Sequence, residues 1–324
     1  MTTYPLTRGA AASVGLILLS VASTAWLSWA VPERAVVLWA AWAVTALFAF
    51  VIQDTLSRYY VGQIRNGVPF LVSWIVMSAT SAFSVLSIEG ETSPWLVLLT
   101  EACLLCVLRI LLVTWEAKRA VLPYFSVGLI IGCLSTLLPS VLCWLLLLPM
   151  AFYQLRTFSS RNVWSVPTGV VWGIWVVYCL MYFLGPEGAA DAMLCGYGRL
   201  WDLRLSPWPV WPWPVWTFLS FFLVLVLGYA SVSLLFVFAK SIRGRANVML
   251  VSLLALVELV FALLHLSDAG FHLGLLSVFL GLLIPCLLSY VRNVANEWMV
   301  LTLLILLMLA AVLPIALPQA MQQL

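Results

Sequence analysis

Long apolar runs separated by short polar breaks follow one another along almost the whole chain. Most runs match the roughly 20 residues that an α-helix needs to cross the ~30 Å hydrocarbon core of a bilayer, and they lack the alternation of membrane β-strands. The pattern therefore predicts an all-α, polytopic bundle that forms a single integral membrane domain over residues 1–324. Its eleven predicted spans lie near 10–31, 35–52, 68–88, 94–115, 120–135, 138–153, 167–185, 215–238, 248–266, 273–290 and 298–317.

The fifth and sixth spans are open to two interpretations. The stretch 120–153 carries no charged residue and is broken only by Ser135, Pro139 and Ser140. It can form two short tilted spans or a re-entrant hairpin. In both arrangements the chain returns to the side that it left, so the predicted topology downstream is the same.

The composition excludes a soluble globular protein. Of 324 residues, 65% are hydrophobic and 8% are charged, whereas charged residues make up about 25% of soluble domains. The net charge of +3 is too small a surplus to indicate a nucleic-acid partner. The lipid bilayer is the partner that this composition implies.

The distribution of Lys and Arg predicts the orientation, because basic residues concentrate in cytoplasmic loops. With a cytoplasmic N-terminus, eleven basic residues fall in inner segments, three in outer segments and Arg109 within a span, which accounts for all 15. The C-terminus is then external. The predicted location is the bacterial inner membrane, with several passes.

The longest outer connection, residues 186–214, is rich in Trp and Pro. Its part from Trp208 to Trp216 cannot form a regular helix because prolines remove backbone donors every few residues. Tryptophan favours the membrane interface. The loop is therefore either a surface anchor or a lid over the mouth of the bundle.

Three ionisable residues lie deep within predicted spans: Glu101, Arg109 and Glu258. Charges at that depth are costly and mark candidate functional sites. One hypothesis pairs Arg109 with Glu258 across the bundle, which would fix the packing of the fourth and ninth spans. The other leaves Glu258 neutral by protonation or makes it part of a proton path, as in a proton-coupled transporter.

A polar stripe continues from Glu258 towards the outer surface. It contains His265, Asp268 and His272, the chain's two histidines among them. Such side chains can bind a divalent metal or pass protons towards Glu258. The competing interpretation is that they are ordinary residues of the outer interface, because Gly270 is expected to end the helix.

Motifs for nucleotide binding, dinucleotide binding, zinc proteolysis and nucleophile elbows do not occur in the sequence. No cofactor and no nucleotide is therefore expected, and the missing motifs argue against an enzyme. The main expectation is a non-catalytic accessory or scaffold protein of a cell-envelope process, with other envelope proteins as partners.

The central region resembles a bacterial family of polytopic inner-membrane proteins defined as a domain of unknown function. The resemblance rests on glycines, prolines and basic residues at the ends of spans. They occur in Val107-Leu-Arg109, Lys118-Arg119, the stretch from Tyr124 to Pro139, the stretch from Arg156 to Arg161, and Pro167-Thr-Gly169. This resemblance implies no site residues.

The same region also looks like the middle spans of C-type glycosyltransferases, which use polyprenyl-linked sugars at the outer face. That resemblance implies a catalytic acid, for which Glu33, Asp191 and Asp202 are the candidates, and sugar or phosphate contacts from Arg199 and Arg204. The family pattern requires a sizeable first outer loop, and here that loop is essentially Pro32-Glu33-Arg34. A polyprenyl-linked glycan is the partner in this alternative.

Overall fold

The computed structural model describes residues 10–59, 73–75, 77–78, 95–198, 242–264, 272, 274–276, 278–279 and 281–283. Every regular element in these ranges is a helix, which confirms the predicted all-α class. Three of the described helical stretches are long and apolar enough to cross a membrane: Pro32–Thr55, Trp95–Val113 and Ser160–Leu184. The total of eleven spans and the orientation of the termini stay predictions.

The eight α-helices that we number are α1 (Ala10–Ala30), α2 (Ala35–Tyr59), α3 (Trp95–Val113), α4 (Val121–Ser135), α5 (Leu148–Gln154), α6 (Ser160–Leu184), α7 (Ala189–Gly196) and α8 (Ile242–Leu264). The chain divides into two compact units. The first unit comprises Met1–Ala102, Ser206–Leu263 and Ala269–Leu324, and the second comprises Cys103–Leu205 and Leu264–Asp268.

In the first unit, α1 and α2 form a hairpin around the 3₁₀ turn Pro32–Arg34. Proline favours the start of this turn because its φ is already fixed near the helical value. The indole Nε1 of Trp42 donates to Ser20 Oγ over 3.3 Å, which ties α2 to α1. Trp74 donates in turn to the Trp42 carbonyl over 3.0 Å, so a third helical segment is held to this hairpin.

Gly281 lets two further segments of the first unit approach closely. Ser73 Oγ donates to the Gly281 carbonyl over 2.7 Å. A Cβ atom at Gly281 would lie 2.9 Å from Met77 Cγ and 3.1 Å from Ile52 Cδ1. Ile52 and Met77 are fully buried, so the space beside Gly281 is already filled.

The second unit is built on close contact between α4 and α6. Each helix carries a Gly-x-x-x-Gly motif, Gly128 to Gly132 in α4 and Gly169 to Gly173 in α6. A Cβ atom on any of these glycines would collide with the backbone of the other helix. A Cβ atom at Gly128 would meet the carbonyl oxygen of Val166, and one at Gly132 would meet that of Val170. A Cβ atom at Gly169 would meet the carbonyl oxygen of Phe125, and one at Gly173 would meet that of Leu129.

These contacts set the direction of the two helices. Gly128 meets Val166, and Gly132, one turn later, meets Val170. Since the two numbers rise together, α4 and α6 run parallel. Small residues at such spacing allow membrane helices to approach backbone to backbone.

A parallel pair requires the intervening chain to run back along it. The return consists of a 3₁₀ helix, Pro139–Leu146, followed by α5. Both segments have a proline in their first two positions, where the missing N–H costs nothing. The predicted stretch 138–153 thus contains two short helices rather than one continuous α-helix.

The C-terminus of α5 closes in a Schellman motif. Thr157 N donates to the Phe152 carbonyl over 3.0 Å and Arg156 N donates to the Tyr153 carbonyl over 3.2 Å. Arg156 occupies the left-handed position with φ of 55°, where glycine is the usual residue. The following helix, α6, is capped by Ser159, whose side chain accepts from Asn162 N over 3.3 Å.

Beyond α6, the chain turns at Gly188, with φ of 80°, and forms α7. The Tyr197 hydroxyl lies 2.9 Å from Ser135 Oγ and so joins this segment to the end of α4. Burial raises the pKa of the Tyr197 phenol above its ordinary value, against the effect of the Ser135 hydrogen bond. The Trp/Pro-rich part of the predicted outer loop lies outside the described residues.

Candidate functional site: a buried carboxylate–imidazole pair

Two ionisable side chains of the first unit are in direct contact. His272 Nδ1 lies 2.6 Å from Glu258 Oε1. The two side chains are only 3% and 1% exposed, respectively. Phe261, one helical turn after Glu258, covers the imidazole with ring centroids 6.4 Å apart.

The pair lies on a largely apolar buried face of α8. The residues buried nearest to it on this helix include Leu254, Ala255 and Leu259, and the polar side chains of Asn247 and Ser252 are buried further along the helix. A charged or strongly polar group in such surroundings is stable only when a partner compensates it. The short contact between Glu258 and His272 contributes to that compensation for both side chains.

This geometry allows the site to store a proton. A carboxylate beside an imidazolium and a carboxylic acid beside a neutral imidazole have the same net charge, so one proton moves between the two groups without charging the site. Uptake of a second proton makes the pair cationic. Contact at Nδ1 also orients the imidazole ring. It points Nε2, the other ring nitrogen that can carry a proton, away from Glu258.

The structure brings together two of the four members of the predicted stripe, Glu258 and His272. His265 and Asp268 lie outside the described residues. Within the part of the chain that is described, no three His, Cys, Asp or Glu side chains converge so that they could hold a metal ion.

The other two intramembrane charges lie on α3. Glu101 is completely buried and belongs to the first unit, whereas Arg109 is half-buried and belongs to the second. The predicted pair of Arg109 with Glu258 spans the two units and stays a prediction. The sequence marks both Glu258 and His272 as candidates, but it does not predict their direct contact.

Two of the acids implied by the glycosyltransferase resemblance belong to different units of the chain. Glu33 is exposed in the turn Pro32–Arg34 of the first unit, and Asp191 is exposed on α7 of the second. Asp202, Arg199 and Arg204 lie outside the described residues. This alternative stays a prediction.

Comparison of the chain with protein-family models, with curated protein sequences and with solved structures gave no match. The two family resemblances rest on the sequence features given above.

Proposed function

We propose that this protein is a multi-pass, proton-coupled transporter of the bacterial inner membrane, and that Glu258 and His272 form its proton-binding element. The observation that supports the proposal is the burial of a directly bonded carboxylate and imidazole in a largely apolar helical bundle. Ionisable residues within membrane helices are costly and therefore rare. Where they occur, they often belong to proton pathways.

Proton binding at this pair provides a means of coupling. Adding one proton changes the net charge of a desolvated site, and the cost of that charge differs between a conformation that admits water and one that excludes it. A proton therefore shifts the balance between the two conformations by the difference in its affinity for them. A solute that also prefers one conformation is then coupled to the proton.

The accessory or scaffold role predicted from the missing motifs is the competing proposal. In that role the pair only holds α8 to the helical segment that carries His272. Function would then depend on the fold and would be indifferent to the chemical identity of the pair.

Proteoliposomes that contain the purified full chain and the internal pH dye pyranine test the proposal. Pools of amino acids, sugars and small organic anions are added outside as probes, and the internal pH is followed. The wild-type protein is expected to move protons with at least one pool. Glu258→Gln and His272→Gln are expected to abolish that movement.

Glu187→Gln is the matched control, because Glu187 is an exposed carboxylate outside the helices. It should transport as the wild type does. If both variants of the pair retain normal abundance and move protons at the wild-type rate, Glu258 and His272 are structural and are not the proton-binding element. If the wild-type protein moves protons with none of the pools, the transporter proposal is wrong.

A further inference from the structure

Two connections of the second unit, separated along the chain by residues 121–154, form one surface. The first connection is 114–120, between α3 and α4, and the second is 155–162, which joins α5 to α6 and includes the first residues of α6. Glu116 N donates to the Leu155 carbonyl over 2.9 Å. Asn162 Nδ2 lies 3.4 Å from the Ala117 carbonyl.

A buried polar cluster fixes the two connections beneath that surface. The Tyr124 hydroxyl lies 3.1 Å from Thr114 Oγ1 and also bonds Thr157 Oγ1. Asn162 Nδ2 donates to the Thr157 carbonyl over 2.8 Å. Tyr124, Thr157 and Asn162 are fully buried. Such a network holds both connections in one arrangement.

The exposed side of the two connections is strongly basic. Four basic side chains and one acidic side chain are exposed there, which gives a local charge of four minus one, or +3. They are Lys118, Arg119, Arg156 and Arg161, with Glu116 as the acid. Glu116 offsets only Arg156, at 3.5 Å.

Large aromatic side chains surround these charges. Tyr153, Phe158 and Trp164 are 80%, 73% and 70% exposed. The Arg156 guanidinium carbon lies 6.0 Å from the ring centre of Trp115. Exposed aromatic and basic residues at the ends of apolar helices are typical of the membrane interface.

We propose that this surface, which we call the basic platform (residues 114–120 and 155–162), binds the phosphate headgroup of anionic phospholipids. The charge is complementary to that headgroup. Clusters of at least four basic residues at the end of a membrane helix favour anionic lipids. The exposed aromatic rings add contacts that a lipid satisfies and a soluble phosphate does not.

The test uses the purified full chain in a neutral detergent. Short-chain phosphatidylglycerol, phosphatidylcholine with the same chains, and glycerol phosphate are titrated separately, and bound molecules are counted by native mass spectrometry. Phosphatidylglycerol is expected to bind about tenfold more tightly than phosphatidylcholine, and less so at high salt. Glycerol phosphate is expected neither to bind nor to displace it.

Single substitutions locate the binding. Arg119→Gln and Arg161→Gln should each weaken phosphatidylglycerol binding about fivefold, which is the expected effect of removing one basic side chain near an anionic headgroup. The matched control is Arg58→Gln, which removes one exposed cation from α2 and should bind lipid as the wild type does. All three substituted side chains are exposed, so unchanged melting temperatures without lipid check that folding is intact.

Three results would overturn the proposal. Equal affinity for the two phospholipids would show that charge is not recognised. An equal loss in all three variants would show that only the overall charge matters. Displacement of the lipid by glycerol phosphate would assign the platform to soluble phosphate compounds instead.

Discussion

In the described part of the chain, the two central helices of the second unit, α4 and α6, meet through backbone, whereas the described contacts between helices of the first unit involve side chains. Between α4 and α6, four glycines place the backbone of one helix against that of the other. In the first unit, the contacts run from Trp42 to Ser20, from Trp74 to Trp42, and from His272 to Glu258.

This difference separates the glycine interface, which contains no titratable group, from the contact between Glu258 and His272, which contains two. A backbone contact has no rotamers and no titratable group, so it admits one geometry and is insensitive to pH. A contact between ionisable side chains changes with protonation. The proton-dependent element of the proposed function accordingly lies in the first unit, and the pre-formed surface lies in the second.

The strongest way to break the comparison is to add one carbon atom to the glycine interface. Gly132→Ala and Gly169→Ala are each expected to lower the free energy of unfolding by about 3 kcal/mol or more, because the new methyl group meets backbone that cannot rotate away. Thermal melting in detergent measures the loss. Gly196→Ala is the control, since a Cβ there meets nothing within 4 Å. Equal effects at all three positions would refute the close packing.

The contact in the first unit is tested by a double-mutant cycle. Glu258→Leu and His272→Leu should each cost about 2 to 3 kcal/mol, because each leaves a buried polar partner behind. The double variant should be more stable than the sum of the two losses predicts. If coupling is found between Glu258 and Arg109 instead, in the cycle with Arg109→Leu, the arginine is the partner that matters.

A smaller effect is expected at the polar cluster beneath the basic platform. Tyr124→Phe removes the hydroxyl that bonds Thr114 and Thr157 and should cost about 1 to 2 kcal/mol. Tyr153→Phe, at a side chain that is 80% exposed, should be silent. Chemical unfolding of both variants gives the comparison. A silent Tyr124→Phe would mean that the two connections do not depend on the cluster.

The smallest expected effect has the opposite sign. Arg156→Gly should stabilise the second unit by up to about 1 kcal/mol, because glycine adopts the left-handed conformation of this position without strain. Arg156→Ala removes the same guanidinium but keeps the Cβ atom, so it should not stabilise. The difference in melting temperature between the two variants isolates the backbone term.

The all-helical class could be predicted because apolar runs of bilayer length have only one common structural solution in lipid. The neighbour against which each helix packs could not be predicted from the sequence. Gly128 and Gly132 are visible as a motif, and so are Gly169 and Gly173, but the pattern of one helix does not say which helix it faces. The parallel pairing depends on the returning segment 136–159, whose 3₁₀ geometry the apolar pattern did not indicate.

The sequence predicts the two residues of the candidate site, but it does not predict that they touch each other. Glu258 stands out because a carboxylate interrupts an apolar run, and His272 because histidine is rare in this chain. Helical spacing relates residues within one helix, whereas these two lie on either side of Gly270. Tyr124 gave no signal at all, because an aromatic residue near a predicted span end suggests an interface position rather than the centre of a buried polar cluster.

The parallel arrangement of α4 and α6 also has a consequence for the order of biosynthesis. Gly128 contacts Val166 and Gly132 contacts Val170. Because α6 follows α4 in the chain, α4 leaves the ribosome before this partner has been made. During that interval the glycine face of α4 lacks the helix that it contacts in the folded protein. The pairing of α4 with α6 can therefore form only after α6 has been made, and a nascent chain arrested after α5 would leave the glycine face of α4 without this partner.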